Sequence, residues 1–117
     1  MSHKKLLKRA AKMSRFGVDD KKTFYFAAIA IRGDDVTVAS YNGNQKFPTP
    51  EHHCEARLVR KLDRDAIVYL ARTTADGNWA MSRPCADCMR ALRRARVKKV
   101  YFTIAPNEYG CINFRLL

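Results

Sequence analysis

Two short stretches of the 117-residue chain contain residues whose types and spacing suit metal and proton chemistry: "HHCEARLVRK" from His52, and "RPCADCMRAL" from Arg83. His53, Cys85 and Cys88 supply one imidazole and two thiolates, a donor set suited to Zn²⁺. Three protein ligands leave a fourth position open, the arrangement of a catalytic rather than a closed structural site. Cys85 and Cys88 are three apart, so on a helix both sulfurs lie on one face. Near a helix start, the free N–H groups and the dipole favour negative charge on them. Pro84 suits the helix entry, because it forfeits only an N–H that the helix would not use. Glu55 follows His53 by two residues and can approach the metal without ligating it. There its carboxylate can take a proton from water and return it to a leaving amine, which is the machinery of hydrolytic deamination.

The neighbouring groups have plainer readings. His52 as a fourth ligand would turn the site into a structural one, but it stands one step off His53, where surface or loop packing is the ordinary outcome. Cys54 reads as a small buried hydrophobe, and Cys111 carries no functional signal.

Helices must present these groups, and the hydrophobic pattern supplies them. Residues 3 to 15 carry Leu6, Leu7, Ala10 and Met13 at three- and four-residue steps between lysines and arginines, an amphipathic basic helix. "TFYFAAIAIRGDDVTVASY" reads as a β-hairpin with its turn at "GDD", its first strand buried on both faces. The "RGD" within it is better explained by the turn than by adhesion. After a loop with Pro48 and Pro50, residues 52 to 63 form a helix with Cys54, Leu58, Val59 and Leu62 on one face. "AIVYLARTT" is a strand, "ADGNWAMSRP" a loop, "CADCMRALRRAR" a helix with Cys85, Cys88, Leu92 and Ala95 inward, and "KKVYFTIA" a fourth strand. "PNEYGCINFRLL" opens with a turn and adds at most a short fifth strand. This alternation predicts a sheet covered by helices, with right-handed crossovers between parallel neighbours.

The length predicts a single domain, 1–117, without a separate substrate domain. Hydrophobic content of 47% marks a globular chain, and no apolar run approaches the roughly 20 residues of a membrane span. "MSHKKLLKRAAKMSRF" lacks the apolar core of a secretory signal, and the four cysteines do not pattern as disulfides, so a reducing, cytoplasmic setting without membrane partners is expected. Lys and Arg number 23 against 11 Asp and Glu, a net charge of +12 that attracts polyanions and phosphorylated ligands. The alternative is an ordinary charged surface.

His53-Cys54-Glu55, then 28 residues, then Pro84-Cys85-Ala86-Asp87-Cys88 matches the H-x-E…P-C-x-x-C signature of zinc nucleobase deaminases. On these motifs, and on the order of elements over nearly the whole chain, the sequence resembles the cytidine and deoxycytidylate deaminase superfamily, its compact, phage-like members above all. The resemblance implies a three-layer α-β-α fold, a central mixed sheet of four to five strands with helices on both faces. It implies His53, Cys85 and Cys88 as zinc ligands and Glu55 as the proton shuttle. It further implies that Asn42 of "SYNGN" bonds the sugar or base, with Asn44 the second candidate. The backbone N–H of Cys54 would meet the pyrimidine carbonyl, and the backbone carbonyl near Ser82 would accept from the departing amine. Cys54 departs from the small residue, often alanine, usual at its position, and no C-terminal substrate-binding helix is evident.

Trp79, ahead of "SRPCADC", can stack on a base or pack internally. Arg57 and Arg83, nearest the helix starts, can meet phosphate or solvent. The reaction expected is conversion of a cytosine-type base to uracil on a free nucleotide or nucleoside such as dCMP. A cytosine or adenine in single-stranded DNA or RNA is the alternative that the charge and the basic first helix favour. A non-catalytic, basic nucleic-acid-binding protein with a structural zinc is the reading from another class. The resemblance also implies a homo-oligomer.

Overall fold

The computed structural model describes residues 2–15, 25–41, 62, 64–74 and 76–116. Helix α1 (His3–Met13) opens with Ser2 as its cap, whose hydroxyl oxygen accepts from the Lys5 backbone N–H at 3.2 Å. Its apolar stripe, Leu6, Leu7, Ala10 and Ala11, is buried, as the three- and four-residue spacing requires. Strands β1 (Tyr25–Ile31) and β2 (Thr37–Tyr41) form the expected antiparallel hairpin. Its turn is closed by Asp35 N–H donating to the Arg32 carbonyl at 2.9 Å, with Asp35 itself at φ 65°. Aspartate tolerates that left-handed conformation because its short side chain bonds locally.

Strand β3 (Ile67–Thr73) pairs antiparallel with β1 and parallel with β5 (Lys99–Ala105); helix α2 (Ala86–Arg94) makes the crossover between β3 and β5. Two features exceed the expectation. The segment read as a loop contains β4 (Trp79–Ala80), which pairs antiparallel with β3. The tail forms a full edge strand, β6 (Glu108–Asn113), antiparallel to β5, followed by a single 3₁₀ turn at Phe114–Leu116. A two-residue strand is too short to show a period, and β6 is only half covered, so its alternation is diluted by exposed Glu108, Tyr109 and Cys111. The sheet therefore has six strands among the described residues, in the order β2-β1-β3-β5-β6, with β4 beside β3. At Gly110 of β6 a Cβ would come 2.7 Å from the Phe102 ring, so only glycine lets that ring lie across the edge strand.

The period-two alternation sorts the strands into two faces. Ile29, Tyr69, Ala71 and Tyr101 pack under α1, while Ala28, Ala30, Val68, Leu70, Val100 and Phe102 pack under Leu92 of α2. Helices thus cover both faces of a mixed sheet. The predicted helix over residues 52 to 63 falls outside the described residues, except for Leu62, which packs against the α2-side cluster.

Candidate active site

α2 enters from Pro84, which is buried, and Cys85 occupies its N-cap with extended backbone, φ −67° and ψ 170°. The Cys85 side chain makes no capping hydrogen bond. Serine, aspartate or asparagine there would satisfy one of the helix's orphan N–H groups, a contribution of about 1 kcal/mol that this sequence forgoes. A cysteine at a cap position is therefore explained by what its sulfur does rather than by helix stability. Cys85 is exposed and Cys88, one turn on, is buried; neither is in a disulfide. Two thiols three residues apart at one helix start are a donor pair that suits zinc, so the described residues are compatible with a bound zinc ion. No third His, Cys, Asp or Glu joins them among the described residues. His53, Glu55, Cys54, Asn42, Asn44 and His52 lie outside the described residues.

The segment that delivers Cys85 is anchored from behind by Ser82, which is 1% exposed. Its hydroxyl oxygen accepts from the Thr103 backbone N–H at 2.7 Å and lies 3.0 Å from the Leu70 carbonyl, while its own backbone N–H donates to the Thr103 carbonyl at 2.9 Å. The Thr103 hydroxyl lies 2.7 Å from the Ala80 carbonyl and 2.9 Å from the Ser82 oxygen. This network ties the chain between β4 and α2 to β5 and β3, and with it the placement of the two cysteines. The sequence points to Ser82 only for its backbone carbonyl; the structure gives its side chain this second, anchoring task. Thr103 escapes sequence reasoning, where a threonine in an otherwise apolar strand is the sole available signal.

Trp79 lies in β4 opposite Thr73 and packs, half-buried, against the α1-side core. Core packing accounts for the buried part of its indole. Arg83 is exposed two residues before Cys85 and, among the described residues, has no ion-pair partner.

The layered mixed sheet is shared with solved structures of deaminases. The chain superposes on guanine deaminase from Bacillus subtilis with a TM-score of 0.66, at 24% identity over 89% of this chain and 65% of that one. It superposes on cytidine deaminase from Burkholderia pseudomallei with a TM-score of 0.65, at 13% identity over 97% and 94% of the two chains. For cytidine deaminase from Mycobacterium tuberculosis the TM-score is 0.56 at 15% identity, over 91% of this chain and 89% of that one. This chain thus spans less than two thirds of the guanine deaminase and most of both cytidine deaminases.

A family model, the cytidine and deoxycytidylate deaminase zinc-binding region, matches residues 1–104. The chain belongs to that family, and the metal the family's zinc-binding region implies is Zn²⁺. No curated protein matches the chain. No helix among the described residues is long and apolar enough to cross a membrane.

Proposed function

We propose that this protein hydrolyses the exocyclic amine of a cytosine-type base to give uracil, acting on a free nucleotide or nucleoside such as dCMP. The observation that carries the reading is Cys85 at an N-cap it does not cap, one turn before Cys88, in a chain that places His53 and Glu55 ahead of them in the family's order. His53, Cys85 and Cys88 hold the zinc. The bound ion supplies the Lewis acidity that makes water a competent nucleophile near neutral pH. Glu55 would take one proton of the attacking water and deliver it to the ring nitrogen, then take the second from the new C4 hydroxyl and pass it to the amine, which leaves as ammonia as the C4–N bond breaks and the carbonyl forms. Asn42 and the backbone N–H of Cys54 orient the substrate, and the backbone carbonyl near Ser82 accepts from the departing amine. Arg83 is exposed two residues before Cys85 and has no ion-pair partner among the described residues, which supports a role in meeting a substrate phosphate and so the nucleotide level. The free thiols suit a reducing, cytoplasmic compartment, and the family likeness supports a homo-oligomer.

A base within single-stranded DNA or RNA is the second reading, favoured by the exposed cations along α1. Ammonia release from cytidine, dCMP, guanine, single-stranded DNA and RNA separates the two. Guanine belongs in that panel because one of the similar structures is a guanine deaminase. Turnover of dCMP well above the polymers supports the proposal, and turnover confined to a polymer or to guanine overturns its substrate.

A further inference from the structure

We infer that the face of the sheet covered by α1 carries a docking surface for single-stranded nucleic acid, separate from the deamination site on α2. It holds whether or not the bound polymer carries the base that is deaminated. Two independent features meet there.

The first is charge. Lys4, Lys5, Lys8, Arg9 and Lys12 are all exposed on α1, and none has an ion-pair partner among the described residues. Lys4, Lys8 and Lys12 stand four apart on one ridge, successive heads about 6 Å apart along the axis, with Lys5 and Arg9 on the next. No acidic residue lies in the helix. Elsewhere among the described residues Arg32, Arg90 and Arg115 pair with Asp34, Asp87 and Asp65, and the α1 row is the longest run of cations on one described element without such a partner. The α1 row is left for a polyanion.

The second feature is a file of aromatic rings at the start of the same helix. Tyr69 and Tyr101, cross-strand neighbours on β3 and β5, stack at 5.2 Å and 9°. His3 covers them, its ring 4.1 Å from Tyr101 and its Nδ1 2.7 Å from the Tyr69 hydroxyl. Tyr109 of the edge strand lies beside the file, its ring 6.3 Å from Tyr101 and tilted 57° to it, and is 42% exposed. Exposed His3 and Tyr109 thus flank a buried stack, with His3 on the same helix as Lys4, Lys5 and Lys8. Single strands are bound by this pairing of cations that track the backbone with aromatic faces that take bases. A lipid surface fits less well, because the apolar face of α1, Leu6, Leu7, Ala10 and Ala11, is spent on the core and cannot insert.

Fluorescence anisotropy with a labelled 20-nucleotide single strand tests this on the intact protein. Binding should weaken about a hundredfold between 50 and 200 mM salt, a log–log slope of about −3.5 for five phosphate contacts. The Lys4→Gln, Lys5→Gln, Lys8→Gln triple variant should lower that slope by about 2 while keeping monomer deamination and the circular dichroism spectrum. Tyr109→Ala should weaken binding roughly tenfold or more with the slope unchanged, and Tyr109→Phe, which keeps the ring, should bind like the wild type. The inference is overturned if the strand does not bind at 50 mM salt, if Tyr109→Ala binds normally, or if heparin or anionic vesicles bind as tightly as the single strand. Failure of deamination on every substrate would defeat the proposed reaction and leave these binding results intact.

Discussion

The Ser82 hydroxyl and the Thr103 backbone N–H meet at 2.7 Å behind the helix start that presents Cys85, joining the β4–α2 connection to β5. The bond is buried, out of reach of solvent that could replace it. Ser82→Ala would strand the Thr103 N–H and leave the Leu70 carbonyl one donor fewer. We expect a loss of about 1–3 kcal/mol in denaturant unfolding, together with weaker zinc retention because the cysteines are held through this segment.

Cys85 offers a sharper separation of stability from chemistry. Cys85→Asp supplies the cap that the sulfur does not, so the metal-free protein should gain about 0.5–1 kcal/mol while zinc content and turnover collapse. Cys111→Ala, at an exposed position on β6, should change neither zinc content nor turnover. Thermal melts of chelated protein and metal analysis of purified protein give both readouts.

Much of this is legible in the sequence, and the reasons differ by element. α1, the β1–β2 hairpin, β3, α2 and β5 each carry a full period of apolar residues, and burial follows that period on both faces of the sheet. The cysteine pair is legible because spacing and helix entry are both local. β4 and the length of β6 are not, since a strand defined by pairing with a distant neighbour leaves little trace in its own residues. Nor is the network of Ser82 and Thr103, whose partners are 21 residues apart and meet only through the parallel pairing of β3 and β5.

Leu92 is the α2 residue that seats the helix on the sheet and is fully buried among Val68, Leu70, Val97 and Val100. Leu92→Ala should cost about 2–5 kcal/mol, measured as a shift in denaturant midpoint without a change in the zinc-to-protein ratio of the folded fraction.

Burial, and then the nearby Tyr101 and Cys111, push the Tyr69 hydroxyl up from 10 to about 12. A folded state that holds this proton more tightly than the unfolded chain keeps its full advantage below pH 10 and loses it as pH rises toward 12. Stability should therefore fall across that window, and Tyr69→Phe should flatten the fall. The same variant removes the bond to His3 and should cost about 1 kcal/mol at neutral pH.

The central claim is that the two cysteines serve a zinc site at which Glu55 moves protons. Its most direct test pairs zinc content with ammonia release from dCMP in the wild type and in Glu55→Ala. One zinc per chain is expected in both proteins, with turnover in the wild type and a loss of at least about a hundredfold in the variant. Wild-type protein without stoichiometric zinc, or a variant that still turns over dCMP at the wild-type rate, would contradict it.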